Sequence, residues 1–158
     1  IAVYVVSSFS GLAGRKDITR ARTDGDASTV VTDAERLRRI LENLVDNAVK
    51  YTPTGGNVEV TTSAGPDGSA RVEVADNGPG IAAEHLARIF ERFYRVDRAR
   101  SRELGGTGLG LSIVKHLAEG MGASVSVESE PGRGARFTVI LPAALPGKPA
   151  SALPGKPA

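Results

Sequence analysis

Four short motifs stand in a fixed order within about seventy residues, and they constrain this chain more than any other feature of its sequence. They read NLVDNAVKY at residues 43–51, DNGPG at 76–80, FERFY at 90–94 and GTGLGL at 106–111. A lone glycine-rich hexapeptide occurs by chance in many proteins. Four motifs in this order are not expected by chance, so they predict a single site built from separate parts of the chain.

The composition is that of one globular domain. The chain has 158 residues, of which 41% are hydrophobic and 24% charged, and such a chain can bury a core. It has no cysteine, which excludes disulfides and cysteine-ligated metals and fits a reducing compartment. No apolar run approaches the ~18 residues that span a membrane, and no signal peptide is visible, so we expect no membrane insertion of this segment.

Charge is uneven along the chain although the net charge is only +2. One short segment carries six arginines, namely Arg88, Arg92, Arg95, Arg98, Arg100 and Arg102. Two interpretations stay open: an ordinary solvated surface, or an electrostatic collar for polyphosphate. Nucleic-acid binding is disfavoured, because only 4% of the residues are aromatic and could stack on bases.

Apolar residues at helical spacing predict three main helices, over residues 2–14, after residue 32, and from about residue 109. Thr32 and Glu35 predict a capping box for the second helix, and Pro53 predicts its end. The predicted buried face of that helix holds Leu37, Ile40, Leu41, Leu44, Val45, Ala48 and Val49. The third helix presents Leu109, Ile113, Val114, Leu117, Ala118 and Met121, and a short helix carries Leu86, Ile89, Phe90 and Phe93.

Alternating apolar and polar residues predict strands. Two hairpins are expected, and two short strands precede them; the strands lie at residues 58–61 and 71–74, 124–129 and 135–141, and 18–22 and 29–31. The predicted fold is α+β, a two-layer α/β sandwich whose three helices cover one face of a mixed, mostly antiparallel sheet. The domain is expected to span residues 1–141. Residues 142–158, with five prolines and two glycines, are expected to form a flexible tail, with a proline-motif docking peptide as the alternative.

The second predicted helix also has a polar face. Asn43, Asn47 and Lys50 lie within about 60° of one another around the helix axis. Asparagine is a modest helix former, so two on one face need an explanation. A solvated face is one explanation, and a polar site shared with the other motifs is the other.

Together the motifs resemble the ATP-binding catalytic (HATPase) domain of sensor histidine kinases, in the GHKL ATPase superfamily, over residues 1–141. The resemblance implies a phosphotransferase that binds ATP with Mg²⁺ and supplies the γ-phosphoryl group for histidine autophosphorylation in two-component signalling. It implies three partners: ATP, the dimerisation and phosphoacceptor helical domain of the same kinase, and a response-regulator receiver domain. It also implies a cytoplasmic location, including the cytoplasmic portion of a membrane-bound sensor kinase.

Residue roles follow from the same resemblance. Asn47 is expected to supply an oxygen to Mg²⁺, and Asn43, Lys50 and Arg95 to act on the phosphates as the catalytic groups. The nucleotide is expected to contact these residues and Tyr51, Asp76, Gly78, Gly80, Ile81, Tyr94, Gly106, Thr107, Gly108, Leu109, Gly110, Leu111 and Thr138.

The chemistry of the second and fourth motifs agrees with these roles. An ionised Asp76 is an acceptor that suits the exocyclic amine of adenine and opposes the carbonyl of guanine, so we expect ATP to be preferred over GTP. Gly106 precedes a helix, and free backbone amides at a helix start bind anions. The charged residues 96–105 are expected to form a lid that orders over ATP.

Three alternatives remain. In hydrolysing relatives of the superfamily a Glu stands where this chain has Asn43, and an amide is no general base, which argues against a hydrolase. An anti-sigma-type serine kinase and a non-catalytic nucleotide sensor share the nucleotide motifs. His85 and His116 lack the flanking Glu and Pro of a phosphoacceptor histidine, so we expect the acceptor to lie outside this sequence.

Overall fold

The computed structural model describes residues 20–23, 30–65, 67–97 and 106–143. The predicted helix over residues 2–14, most of the predicted lid and most of the predicted tail lie outside these ranges.

Five strands form one sheet in the order β1-β2-β3-β5-β4. Their bounds are β1 Arg20–Thr23, β2 Val58–Ala64, β3 Ala70–Asp76, β4 Ser124–Ser129 and β5 Ala135–Leu141. Strand β1 runs parallel to β2, and every other neighbouring pair is antiparallel. The predicted mixed, mostly antiparallel sheet is therefore confirmed, and so are both hairpins.

Helices α1 (Ala34–Tyr51) and α3 (Gly110–Glu119) cover one face of this sheet, and the short helix α2 (Ala83–Leu86) lies between them in sequence. Alternate residues of the strands point toward the helices, as the period of two requires. The core contains Leu37, Ile40, Leu41, Leu44, Val45, Ala48, Val58, Val60, Val72, Val74, Ile89, Val114, Ala118, Ala123, Ala135, Phe137, Val139 and Leu141. The α+β two-layer architecture is thus as predicted.

The opposite face of the sheet is polar. Its centre is Glu73, whose carboxylate accepts hydrogen bonds from the hydroxyls of Thr61 and Thr138. Arg136 also donates to Glu73, at 3.4 Å. Charge is therefore paired on a face that no described helix covers.

The start of α1 differs from the predicted capping box. Asp33, not Thr32, is the N-cap: its carboxylate accepts from the amide of Arg36 at 3.0 Å. The Arg36 side chain also forms an ion pair with Asp33. Aspartate caps at least as well as threonine, and this second contact favours it further.

Three other sequence predictions were wrong in detail. Val30 and Val31 are not in a strand, since the chain there enters the cap of α1, and Val31 is 61% exposed. The short helix ends at Leu86, and turns follow it as far as Phe93. Ile113 is 40% exposed rather than buried, because the core side of α3 is formed by Val114 and Ala118.

Among the described residues, no helix has the length and apolar character that crossing a bilayer requires.

Candidate functional site

The first and fourth motifs meet where α1 passes the beginning of α3. A Cβ atom placed on Gly110 would lie 3.1 Å from Oδ1 of Asn43 and 3.7 Å from Nδ2 of Asn47. The Asn43 amide nitrogen donates to the carbonyl of Arg39 at 2.8 Å, which orients Oδ1 toward Gly110. A glycine here lets the helix start approach both asparagines.

The beginning of α3 supplies anion-binding backbone groups. The N–H of Ile113 is the first to bond back along the chain, to Leu109 at 3.0 Å. The amides of the preceding residues, from Gly110 to Ser112, have no acceptor within the helix. With the positive end of the helix dipole, they suit phosphate oxygens.

The third motif contacts the fourth through the backbone. The N–H of Phe93 donates to the carbonyl of Gly108 at 2.8 Å. Gly108 has φ +73°, and a Cβ there would lie 2.9 Å from the Cα of Phe93. Only glycine combines this φ with this close approach.

The second motif lies beside the C-terminal end of α1. A Cβ on Gly78 would be 3.3 Å from the carbonyl oxygen of Tyr51, so this loop packs against the last residue of the helix. Oδ1 of Asp76 accepts from the amides of Gly78 at 2.8 Å and Ala135 at 3.3 Å. Both bonds use the same oxygen, which leaves Oδ2 to accept from a ligand.

The environment of Asp76 acts on its ionisation in two directions. Burial raises the pKa of the Asp76 carboxyl, and the amides of Gly78 and Ala135 partly counteract this by stabilising the charged form. A half-buried carboxylate with a free oxygen beside a packed loop can accept a hydrogen bond from an amine such as that of adenine.

The turn between β4 and β5, residues 130–134, holds this loop from the far side. A Cβ on Gly80 would overlap the carbonyl of Glu130, and one on Gly134 would overlap the carbonyl of Asp76. The amide of Gly132 donates to the carbonyl of Pro79 at 2.8 Å. The 76–80 loop is therefore fixed by these backbone contacts and by side-chain hydrogen bonds of Asp76 and Asn77.

The distance between the two parts of the site suits an elongated ligand. Tyr51 is eight positions after Asn43, and at a rise of 1.5 Å per residue the two are about 12 Å apart along the helix. Lys50 lies in the last turn, with Nζ 6.0 Å from the centre of the Tyr51 ring. A base at Asp76 and phosphates at Gly110 would therefore lie along one helix.

The structure places predicted residues of the first, second and fourth motifs on α1 or against it, and Thr138 is a clear exception. Thr138 lies on the polar face of the sheet, where it bonds to Glu73 at 3.3 Å and pairs with it in register. Asp76 follows Val72 and Val74 on the helix side, so the two residues are on opposite faces. In the third motif, Tyr94 and Arg95 are both half-buried. Ile81 is held in place by its amide, which donates to Oγ of Ser129 at 2.8 Å.

Sequence reasoning missed two supports of the Asp76 loop. Ala135 donates to Asp76, and Ser129 bridges Ile81 and the carbonyl of Gly134, to which its hydroxyl donates at 2.6 Å. The register of β3 with β5 would have placed Ala135 opposite Asp76, but register is not readable from alternation alone.

The donors fit a magnesium ion held partly by the ligand. Among the residues described, no cluster of three or more histidines and carboxylates could bind a metal. The α1 face offers the neutral amide oxygens of Asn43 and Asn47 instead. Magnesium keeps several waters and takes substrate phosphates with one or two protein oxygens, so these residues fit it.

The comparisons with known proteins all point to one family. The family model described as histidine kinase-, DNA gyrase B-, and HSP90-like ATPase matches residues 32–145. The sensor-like histidine kinase SenX3 of Mycolicibacterium smegmatis is 41% identical over 151 residues, which are 89% of this chain and 38% of that protein. The chain therefore spans little more than a third of this relative.

Two solved structures are similar. Full-length ShkA in complex with AMPPNP has a TM-score of 0.77 and 41% identity over 89% of this chain and 29% of its own. Histidine kinase ThkA in complex with response regulator protein TrrA has a TM-score of 0.71 and 26% identity over 89% of this chain and 39% of its own.

Proposed function

Because this chain belongs to the histidine kinase-, DNA gyrase B-, and HSP90-like ATPase family, we propose that it binds ATP with Mg²⁺ and donates the γ-phosphoryl group to a histidine. The observation that carries the proposal is the placement of Asp76 beside the C-terminal end of α1 and of Gly110 beside Asn43 and Asn47, farther back along the same helix. A relative of this chain, ShkA, was solved with the ATP analogue AMPPNP.

At the base end, Asp76 accepts from the adenine amine through Oδ2 while its Oδ1 is held by backbone amides. Guanine presents a carbonyl at that position, and two facing acceptors leave a buried group unpaired at a cost of about 1–3 kcal/mol. Gly78 and Gly80 bring the loop backbone close to the base.

At the phosphate end, the amides at the start of α3 bind phosphate oxygens. Asn47, with Asn43, supplies amide oxygens for Mg²⁺, which would neutralise phosphate charge when bound. Lys50 and Arg95 add positive charge toward the β- and γ-phosphates. These groups position and stabilise the phosphates, which is most of what phosphoryl transfer requires.

Among the described residues of the site, no group is suited to activating water. Asn43 is an amide, and its neighbour Glu42 is paired with Arg38 at 2.7 Å on an adjacent side of the helix. The absence of a base at Asn43 favours transfer to an external nucleophile over hydrolysis. It disfavours the hydrolase alternative.

The acceptor lies outside the described residues. His85 bonds to Tyr94 and His116 is exposed on α3, so neither is presented to the phosphate end. We therefore place the acceptor on a dimerisation helical domain, and the next recipient on a response-regulator receiver, as the ThkA and TrrA complex suggests by analogy. A cytoplasmic site fits the use of ATP.

The fate of the γ-phosphoryl group tests this proposal. The chain is incubated with γ-labelled ATP and Mg²⁺, alone and with the helical phosphoacceptor domain of the SenX3 relative. We expect little free phosphate from the chain alone and acid-labile label on the acceptor. Steady phosphate release would indicate a hydrolase, and acid-stable label on a protein partner would indicate a serine kinase.

A further inference from the structure

Phe93 has an unusual backbone for its residue type. Among the described residues it is the one non-glycine residue with a positive φ, at 65°. Its side chain is 70% exposed, so burial of the ring does not offset the strain. Such a conformation persists only where neighbouring contacts impose it.

One of these contacts is with the phosphate-binding segment. The Phe93 amide donates to the carbonyl of Gly108, and the Cα of Phe93 packs where a Gly108 side chain would lie. The conformation of Phe93 and the position of Gly108 are therefore linked. A change in one displaces the other.

The second contact acts through the next residue. The hydroxyl of Tyr94 lies 2.7 Å from Nδ1 of His85. The guanidinium of Arg88 lies 4.4 Å from the centre of the Tyr94 ring, within cation–π distance, and pairs with Glu91. A tyrosine hydroxyl can donate or accept, so the bond forms with either tautomer of His85.

We propose that His85 is a positioning residue for the phosphate end: by fixing Tyr94 it holds Phe93 in its left-handed conformation, and Phe93 in turn holds Gly108 and the start of α3 in place. This inference rests on the proposed ATP site for its functional consequence, but its structural step does not require nucleotide. The base end is not linked in this way, because the 76–80 loop is fixed by Tyr51 and the 130–134 turn.

Amide hydrogen exchange without nucleotide tests the structural step. His85→Ala should speed exchange of the Phe93 amide about three- to tenfold, the change that one hydrogen bond corresponds to. His85→Asn, whose side-chain amide can reach the Nδ1 position, should restore protection. His116→Ala, which removes an exposed histidine on α3, is the control and should leave this amide unchanged.

Two further variants keep the test decisive if His85→Ala fails to fold. Tyr94→Phe removes only the hydroxyl and should give the same rise in exchange. Phe93→Gly adopts positive φ without strain. In this background, adding His85→Ala should not change the exchange rate of the residue-93 amide. Unchanged exchange of the Phe93 amide in both His85→Ala and Tyr94→Phe would overturn the inference.

Nucleotide titrations test the functional step. In His85→Ala we expect ATP affinity to fall about three- to tenfold while adenosine affinity stays the same. Equal losses for ATP and adenosine would overturn the positioning role. Failure of the parent chain to bind ATP would overturn the proposed function instead, and the exchange result would still stand.

Discussion

The two ends of the candidate site, the base end at Asp76 and the phosphate end at Gly110, are built differently. At the base end, the 76–80 loop is fixed by backbone hydrogen bonds and by glycines that leave no space for a side chain, at Gly80 and Gly134. At the phosphate end, the described residues that hold the start of α3 are the strained, exposed Phe93, through one backbone bond, and two asparagine side chains. Within the described residues, the proposed base end is therefore preorganised, whereas the proposed phosphate end has fewer contacts and depends more on the ligand.

The largest expected effect is on the stability of the base end. Gly134→Ala should lower the free energy of unfolding by roughly 3–4 kcal/mol, because the new Cβ overlaps the Asp76 carbonyl at a positive φ. Gly132→Ala is the matched control, with the same φ of +79° but nothing within 4 Å. It should lose only about 1–2 kcal/mol. Urea denaturation of both variants measures the difference, and equal losses would show that the contact does not matter.

The second prediction concerns ATP affinity at the base end rather than stability, and it uses the variant Asp76→Asn. The amide oxygen can still accept from Gly78, but its NH₂ cannot serve the adenine amine. ATP affinity should fall about ten- to hundredfold, corresponding to about 1–3 kcal/mol. Calorimetric titration measures this, and unchanged affinity would remove Asp76 from the site.

The same variant predicts a pH dependence. Because burial raises the pKa of Asp76, the folded chain binds more protons than the unfolded chain between the two pKa values, and stability falls as pH rises through that window. The parent should therefore lose stability relative to Asp76→Asn as pH rises above the ordinary aspartate pKa of about 3.9. If the parent instead becomes more stable relative to Asp76→Asn as pH rises, then folding lowers the pKa of Asp76.

A smaller effect is expected at the phosphate end, and in affinity rather than stability. Gly110→Ala adds a Cβ 3.1 Å from Asn43 Oδ1, so the Asn43 side chain or the helix start must shift by a few tenths of an ångström. We expect ATP to bind about five- to tenfold more weakly, adenosine to bind equally, and stability to stay within about 1 kcal/mol, since alanine favours the helix. A loss of stability as large as that of Gly134→Ala would contradict the contrast between the ends.

The smallest expected effect concerns the metal. Asn47→Ala should lose the gain in ATP affinity that Mg²⁺ provides, a few-fold change, and leave metal-free binding unaltered. Asp46→Ala, an exposed neighbour on α1, is the control. If Mg²⁺ improves binding equally in the parent and in Asn47→Ala, then Asn47 is not a ligand.

The sequence predicted most of the fold because its signals are local. Alternation located β2 to β5 and the 3.6-residue period located α1 and α3, since both patterns arise from burial of one face. The errors lie where local signals compete: Asp33 and Thr32 are adjacent cap candidates, and the aromatic run to Phe93 has helical spacing but ends in a left-handed residue that packs on Gly108.

The sequence identified the motifs of the candidate site, but not the residues that hold those motifs in place. Asp76, Asn43 and Gly110 were predicted as site residues from the sequence, and the structure places them on α1 or beside it. Thr138 was placed with the base, yet it lies on the far face, because a shift of one position along a strand reverses the direction of the side chain. The roles of Ala135 and His85 depend on contacts across 59 and 9 residues, which no motif encodes.

Calorimetric titration of the parent chain with ATP, GTP and adenosine, each with and without Mg²⁺, tests the central claim most directly. The account predicts that ATP binds more tightly than GTP, that adenosine binds measurably on its own, and that Mg²⁺ strengthens only the binding of the triphosphates. Equal affinity for ATP and GTP, or no binding of ATP, would contradict it.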